Sequence, residues 1–150
     1  MKLMIPPVVQ VIASAIAMWL FKKQFPLLDF ALIHQHLISG ALIACGLMIT
    51  IIAVVDFRKA KTTVNPTAPS QANTLVIKGL YRFSRNPMYV GFLTILSGWA
   101  IGIGNIGALG IILVFIWYMT VFQIKPEEQA LKDKFGADYE AYCEKVRRWI

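Results

Sequence analysis

The sequence predicts an all-α integral membrane protein with about four transmembrane helices, closed by a C-terminal amphipathic helix at the membrane interface. Three observations carry this. Hydrophobic residues make up 57% of the 150-residue chain and the mean hydropathy is +0.61, whereas soluble domains are roughly 45–50% apolar. The apolar residues gather into four runs. The formal net charge of +7 falls mainly between and after those runs. Length fits a single domain over 1–150. Few residues lie outside the runs to build a solvated basic face, so no nucleic-acid partner is expected.

The first run covers about 5–21, with Pro6 and Pro7 in its first turn, where a missing N–H does little harm. It ends at Lys22 and Lys23 with no convincing cleavage site, and reads as a retained span rather than a signal peptide. The second, about 37–57, has enough uncharged residues before Asp56 to cross a hydrocarbon core. The third and fourth, about 88–103 and 106–124, are separated by Gly104 and Asn105 and predict a tight helical hairpin. Gly98 and Gly102 form a small-xxx-small pair that permits close helix packing.

Lys and Arg fix the orientation. Arg58, Lys59, Lys61, Lys78, Arg82 and Arg85 fall in the loop 58–87, and Lys125, Lys132, Lys134, Lys145, Arg147 and Arg148 in the tail 125–150. With four spans these share one side, which the positive-inside rule makes cytoplasmic, together with both termini. Pro126, Glu127 and Glu128 suit a helix first turn. Leu131, Phe135, Tyr139, Tyr142, Val146 and Trp149 recur every three or four residues, so the tail reads as helix along one apolar stripe, broken at Gly136. Cys45 and Cys143 suggest neither a disulfide nor a metal site.

The chemistry concentrates in the segment 73–91 and at Glu127-Glu128. The hairpin returns the chain to its starting side, so Tyr89 and Glu127 are expected to meet at the cytoplasmic surface with Arg85 and Asn86 nearby. Such a cleft suits a zwitterionic ligand with an aromatic part. Carboxylates accept from an ammonium or ribose hydroxyls, Arg85 meets a carboxylate, and tyrosines stack on a ring or face a cation. Each element also has a plainer reading: arginines as positive-inside anchors, tyrosines as interfacial belt residues, and glutamates as a helix N-terminal pair.

Arg85-Asn86-Pro87-Met88-Tyr89-Val90-Gly91, a hydrophobic hairpin and then Glu127-Glu128 resemble the motif of the isoprenylcysteine carboxyl methyltransferase and phospholipid methyltransferase superfamily. Leu75-Val76, Gly79, Tyr81, Phe135-Gly136, Tyr139, Tyr142 and Val146 fit the same pattern, which covers the chain from about Thr62 onward. The resemblance implies a multi-span membrane methyltransferase that takes S-adenosylmethionine on the cytoplasmic side and methylates a lipid-like or small apolar acceptor. It implies cofactor contacts from Asn73, Thr74, Leu75, Val76, Tyr81, Asn86, Pro87, Met88, Tyr89 and Glu127, with Arg85 and Glu128 as neighbours.

Two positions depart from the pattern. The motif's His is Asn86 here, which removes a titratable ring. An Arg expected to meet a prenylcysteine carboxylate is Gln123, a weaker partner for that group. Gln123 and Asp56 are the residues placed to touch an acceptor, although Asp56 serves equally as a partner for Arg58. No catalytic base is named; His34 and His36 fall at the opposite membrane face. Two other readings stay open: a nicotinamide-dependent membrane reductase and a non-catalytic membrane subunit.

Overall fold

The computed structural model describes residues 5–59 and 75–150. Six helices follow in order: α1 (Pro7–Gln24), α2 (Gln35–Lys59), α3 (Pro87–Ile103), α4 (Ile106–Tyr118), α5 (Lys125–Phe135) and α6 (Ala137–Lys145). Among the described residues there is no β-strand, only an isolated antiparallel bridge between Asp29 and Asn105.

Each helix begins and ends for a local reason. Pro7 and Pro87 occupy the first positions of α1 and α3, where the absent N–H has no intrahelical partner to lose. Gly104 ends α3 in the left-handed region at φ +67°. The Asn105 side chain then caps α4 by accepting from Gly107 N at 2.9 Å. The two-residue hairpin is therefore a glycine stop followed by an asparagine start. Gly136, at φ +51°, divides α5 from α6.

Three boundaries differ from the sequence reading. α1 continues through Lys22, Lys23 and Gln24. Lys22 curls back to donate to Ile103 O and pairs with Asp29, and Lys23 lies 3.7 Å over the Trp19 ring, so both charges are accommodated on the helix. The tail is not helical to Trp149: α6 stops at Lys145 and Val146 is extended.

Pro126 does fall in the first turn of α5 with Glu127 and Glu128, but that helix has no free start. The helix from Ile106 to Phe135 is continuous, and a π turn, Met119–Ile124, lies just before Pro126. An interior proline removes an N–H and crowds the carbonyl four residues back. The wider turn placed upstream accommodates that loss, as π-bulges do.

α3 packs most extensively on α2, and does so backbone to backbone. A Cβ on Gly46 would lie 2.6 Å from Gly91 O, and one on Gly98 would lie 2.9 Å from Ser39 O. Gly98 and Gly102 thus make the close approach their spacing suggested, with α2 as partner. α1 packs across α4 and α3; Trp99 Nε1 donates to Ala15 O at 3.1 Å. The main core joins Met18, Leu96, Ala100, Ala108, Phe115 and Met119.

Two helices, Gln35–Lys59 and Ile106–Phe135, are long and apolar enough to cross a membrane, while α3 is apolar but shorter. The apolar part of the longer helix ends at Ile124, with Lys125 next. Leu37, Ile51, Leu113, Val114 and Trp117 face outward. A surface of this kind calls for lipid rather than water against it.

Candidate functional site

The antiparallel course of α3 and α4 returns the chain so that the first turn of α3 faces the first turn of α5. Tyr89 Oη donates to Glu127 Oε1 at 2.7 Å. The two residues lie 38 positions apart, and the structure brings them together as the hairpin required. Gln123, only 1% exposed, donates its amide N–H to the same oxygen. It sits in the π turn four residues before Glu127.

Glu127 is thus held by two uncharged donors. Its pKa is pushed up to about 7, foremost by withdrawal from solvent. The hydrogen bonds from Tyr89 and Gln123 pull it down, and the neighbouring Glu128 charge adds a further push upward.

Tyr81 completes this region from the short 3₁₀ turn Gly79–Arg82. It is 4% exposed, and its buried hydroxyl has no hydrogen-bond partner among the described residues. Burial raises its pKa, and the charges of Tyr142, Asp56 and Glu127 raise it further. The turn is fastened from two sides. Tyr142 Oη donates to Tyr81 O at 2.7 Å, and Leu80 N donates to Asp56 Oδ2 at 3.2 Å. Asp56 therefore accepts from the backbone of this turn, and among the described residues it forms no ion pair with Arg58.

The other sequence-predicted residues fall into two groups. Asn86, Pro87 and Met88 form the entry to α3: Asn86 is its N-cap and donates from Nδ2 to Arg148 O at 2.9 Å, while Met88 packs between the main core and the cluster of Ala53, Val76 and Tyr81. Val76 is buried in that cluster. Leu75 packs against Tyr139, Tyr142 and Val146, and with Ile77, Arg82, Phe135 and Tyr142 it lines a groove of about 700 Å³. Asn73 and Thr74 lie outside the described residues.

Arg85 and Glu128 form the second group. They pair with each other at 3.2 Å, and Arg85 Nη1 also donates to Cys143 Sγ at 2.6 Å. Glu128 takes a forked contact from the Arg148 guanidinium, at 2.7 Å from Nη2 and 3.1 Å from Nε. Among the described residues the adjacent glutamates thus have opposite surroundings: Glu128 pairs with two cations and Glu127 with none. The sequence reading missed Arg148 and Thr120, which accepts from Trp149 Nε1 at 3.1 Å. The basic pair Arg147-Arg148 was the available signal.

Among the described residues no cluster of three His, Cys, Asp or Glu side chains is arranged to hold a metal. A cation-bearing, hydroxyl-rich ligand does fit the residues present: a buried Tyr81 hydroxyl and a Glu127 carboxylate, which among the described residues have no partner and no counter-ion respectively, offer it an acceptor and a charge partner.

Comparison with known proteins places the chain in a family. The family model for phospholipid methyltransferase matches residues 34–138. The chain is 43% identical over 63 residues to an uncharacterised protein of Haemophilus influenzae, covering 42% of this chain and all of that one. It is 28% identical over 123 residues to the protein-S-isoprenylcysteine O-methyltransferase of Schizosaccharomyces pombe, covering 79% of this chain and 45% of that protein. It is 30% identical over 105 residues to a probable protein-S-isoprenylcysteine O-methyltransferase of Oryza sativa, covering 70% and 55%. The chain thus spans about half the length of these two methyltransferases. No solved structure matches it. From the family match across helices α2 to α5, the chain belongs to the phospholipid methyltransferase family, in the superfamily that includes the isoprenylcysteine carboxyl methyltransferases.

Proposed function

We propose that this protein is an S-adenosylmethionine-dependent methyltransferase of the membrane, acting on a lipid-like or small apolar acceptor. The observation that carries the reading is Glu127: a carboxylate held by Tyr89 and Gln123, beside the Tyr81 hydroxyl, and among the described residues neither the carboxylate nor the hydroxyl has a cation or further partner. When bound, S-adenosylmethionine supplies a methyl group on a sulfonium centre for direct displacement. Glu127 then accepts from the cofactor's ribose hydroxyls or ammonium, Tyr81 supplies a hydrogen bond, and the Tyr89 and Gln123 donors keep the carboxylate oriented. The protein binds, orients and excludes water. Leu75, Val76, Asn86, Pro87, Met88, Asn73 and Thr74 remain proposed cofactor neighbours.

Gln123 bears on the acceptor. It is neutral and spends its amide on Glu127, so an acceptor carboxylate finds no guanidinium there. We therefore favour an acceptor that is uncharged at its reacting atom. Four spans, with both termini and the site cytoplasmic, follow from the apolar runs and the Lys and Arg placement, with the acceptor entering laterally from the bilayer.

Calorimetric titration of the detergent-purified protein with S-adenosylhomocysteine tests this. Micromolar binding that Glu127→Ala abolishes is the expected result. Binding of NADPH in its place would make the protein a reductase instead.

A further inference from the structure

After α6 the chain turns back across the site. We propose that this C-terminal strap, residues 146–150, is a clamp that completes the site, with Arg148 and Trp149 as positioning residues for Glu127 and Gln123. The inference rests on the function proposed above for one of its readouts.

The strap grips both sides of the Gln123–Glu127 pair. Downstream, Arg148 forks onto Glu128, the residue after Glu127. Upstream, Trp149 donates to Thr120 Oγ1 in the π turn that carries Gln123, and its ring packs against the main core. The strap backbone is also tied to the entry of α3, three residues before Tyr89. Arg147 O accepts from Arg85 N at 3.0 Å, and Arg148 O accepts from Asn86 Nδ2. Each residue of the Tyr89–Gln123–Glu127 triad therefore lies within three residues of one that the strap bonds: Asn86, Thr120 and Glu128. The π turn interrupts the regular α-helical hydrogen-bond ladder, so an outside brace matters most there. On this reading Glu128 is the anchor that fixes its neighbour rather than a ligand for the cofactor.

The test uses the full chain in detergent with Arg148→Ala and Arg148→Lys. Three quantities are read: S-adenosylhomocysteine affinity, melting midpoint, and hydrogen exchange of peptides covering 119–128. We expect Arg148→Ala to weaken binding about tenfold, the loss of a charge-assisted hydrogen bond, and to speed exchange over 119–128 while the protein stays folded. Lys, which keeps the charge but not the fork, recovers part of the affinity. A strap that merely stabilised the fold would lower the melting midpoint and leave the affinity of folded protein unchanged, and that result overturns the proposal. Unchanged exchange over 119–128 overturns it as well. If Arg148→Ala does not fold, Trp149→Phe removes the indole donor with the ring kept, and the same criteria apply. If the wild type binds no S-adenosylhomocysteine but exchange over 119–128 rises in Arg148→Ala, the proposed activity falls and the clamp stands.

Discussion

Replacing Glu127 with Gln is predicted to make the protein more stable and, on the proposed function, unable to bind S-adenosylhomocysteine. The folded protein holds the Glu127 carboxyl at a pKa of about 7, against 4.5 for an ordinary glutamate, chiefly through burial. Between those two values the folded state keeps a proton that the unfolded chain releases. Stability therefore falls as pH rises through the window, and above pH 7 the folded state carries the full cost of a desolvated charge. At ~1.4 kcal/mol per pH unit the window amounts to about 3 kcal/mol. A glutamine keeps the acceptor for Tyr89 and Gln123 and has no charge to desolvate.

The assay is thermal melting of the two proteins in detergent from pH 5 to pH 8. The difference between them isolates this group from every other titration. The two should melt close together at pH 5, and the Gln variant should gain several degrees over the wild type by pH 8. The wild type alone should bind S-adenosylhomocysteine, more tightly as pH rises through 7. Parallel melting curves across the range, or a Gln variant less stable at pH 8, would refute the reasoning.

Three further substitutions test other parts of the structure. Gly46→Ala drives a methyl group to 2.6 Å from Gly91 O and 2.8 Å from Ile95 N; it should cost roughly 1–3 kcal/mol as overpacking, read as a lower melting midpoint with the Glu127 titration retained. Gly79→Ala combines a φ of +62° with a clash against the Asp56 carboxylate, so it should lose about 1–2 kcal/mol from backbone strain alone and weaken cofactor binding by displacing Tyr81. Gln123→Arg puts a cation four residues before Glu127, which should pull the Glu127 titration down toward the ordinary carboxylate range. An infrared titration of the carboxyl band would show this, and an unchanged midpoint would mean the arginine turns away.

What could be read from the sequence followed from local rules and one geometric step. Gly104-Asn105 between two apolar runs announces a stop and a start, and two runs of similar length return the chain to its origin, which is enough to place Tyr89 beside Glu127. The glycine spacing announced close packing without naming α2 as the partner. Three things depended on tertiary choice and could not be read. Pro126 fits a helix start or a continuing helix with a π turn before it, and only the packing of Met119 and Ile124 into the core decides. Glu127 and Glu128 are identical in type and adjacent, yet Arg85 and Arg148 converge on one of them because of where the strap lies. The apolar stripe reaches Trp149 by spacing, but Trp149 leaves it to bond Thr120 once the chain becomes extended at Val146.

The glycine seam between α2 and α3 also limits where traffic can pass. Gly46, Gly91, Gly98 and Gly102 let the two backbones close on each other, with only the Ser39, Ile43, Thr50 and Ile95 side chains filling the seam, so the pair packs as one solid wall. On the proposed function, an acceptor diffusing within the bilayer would meet no doorway there. Chemical crosslinks placed across that wall should leave turnover untouched, whereas crosslinks elsewhere around the bundle will reveal the entrance.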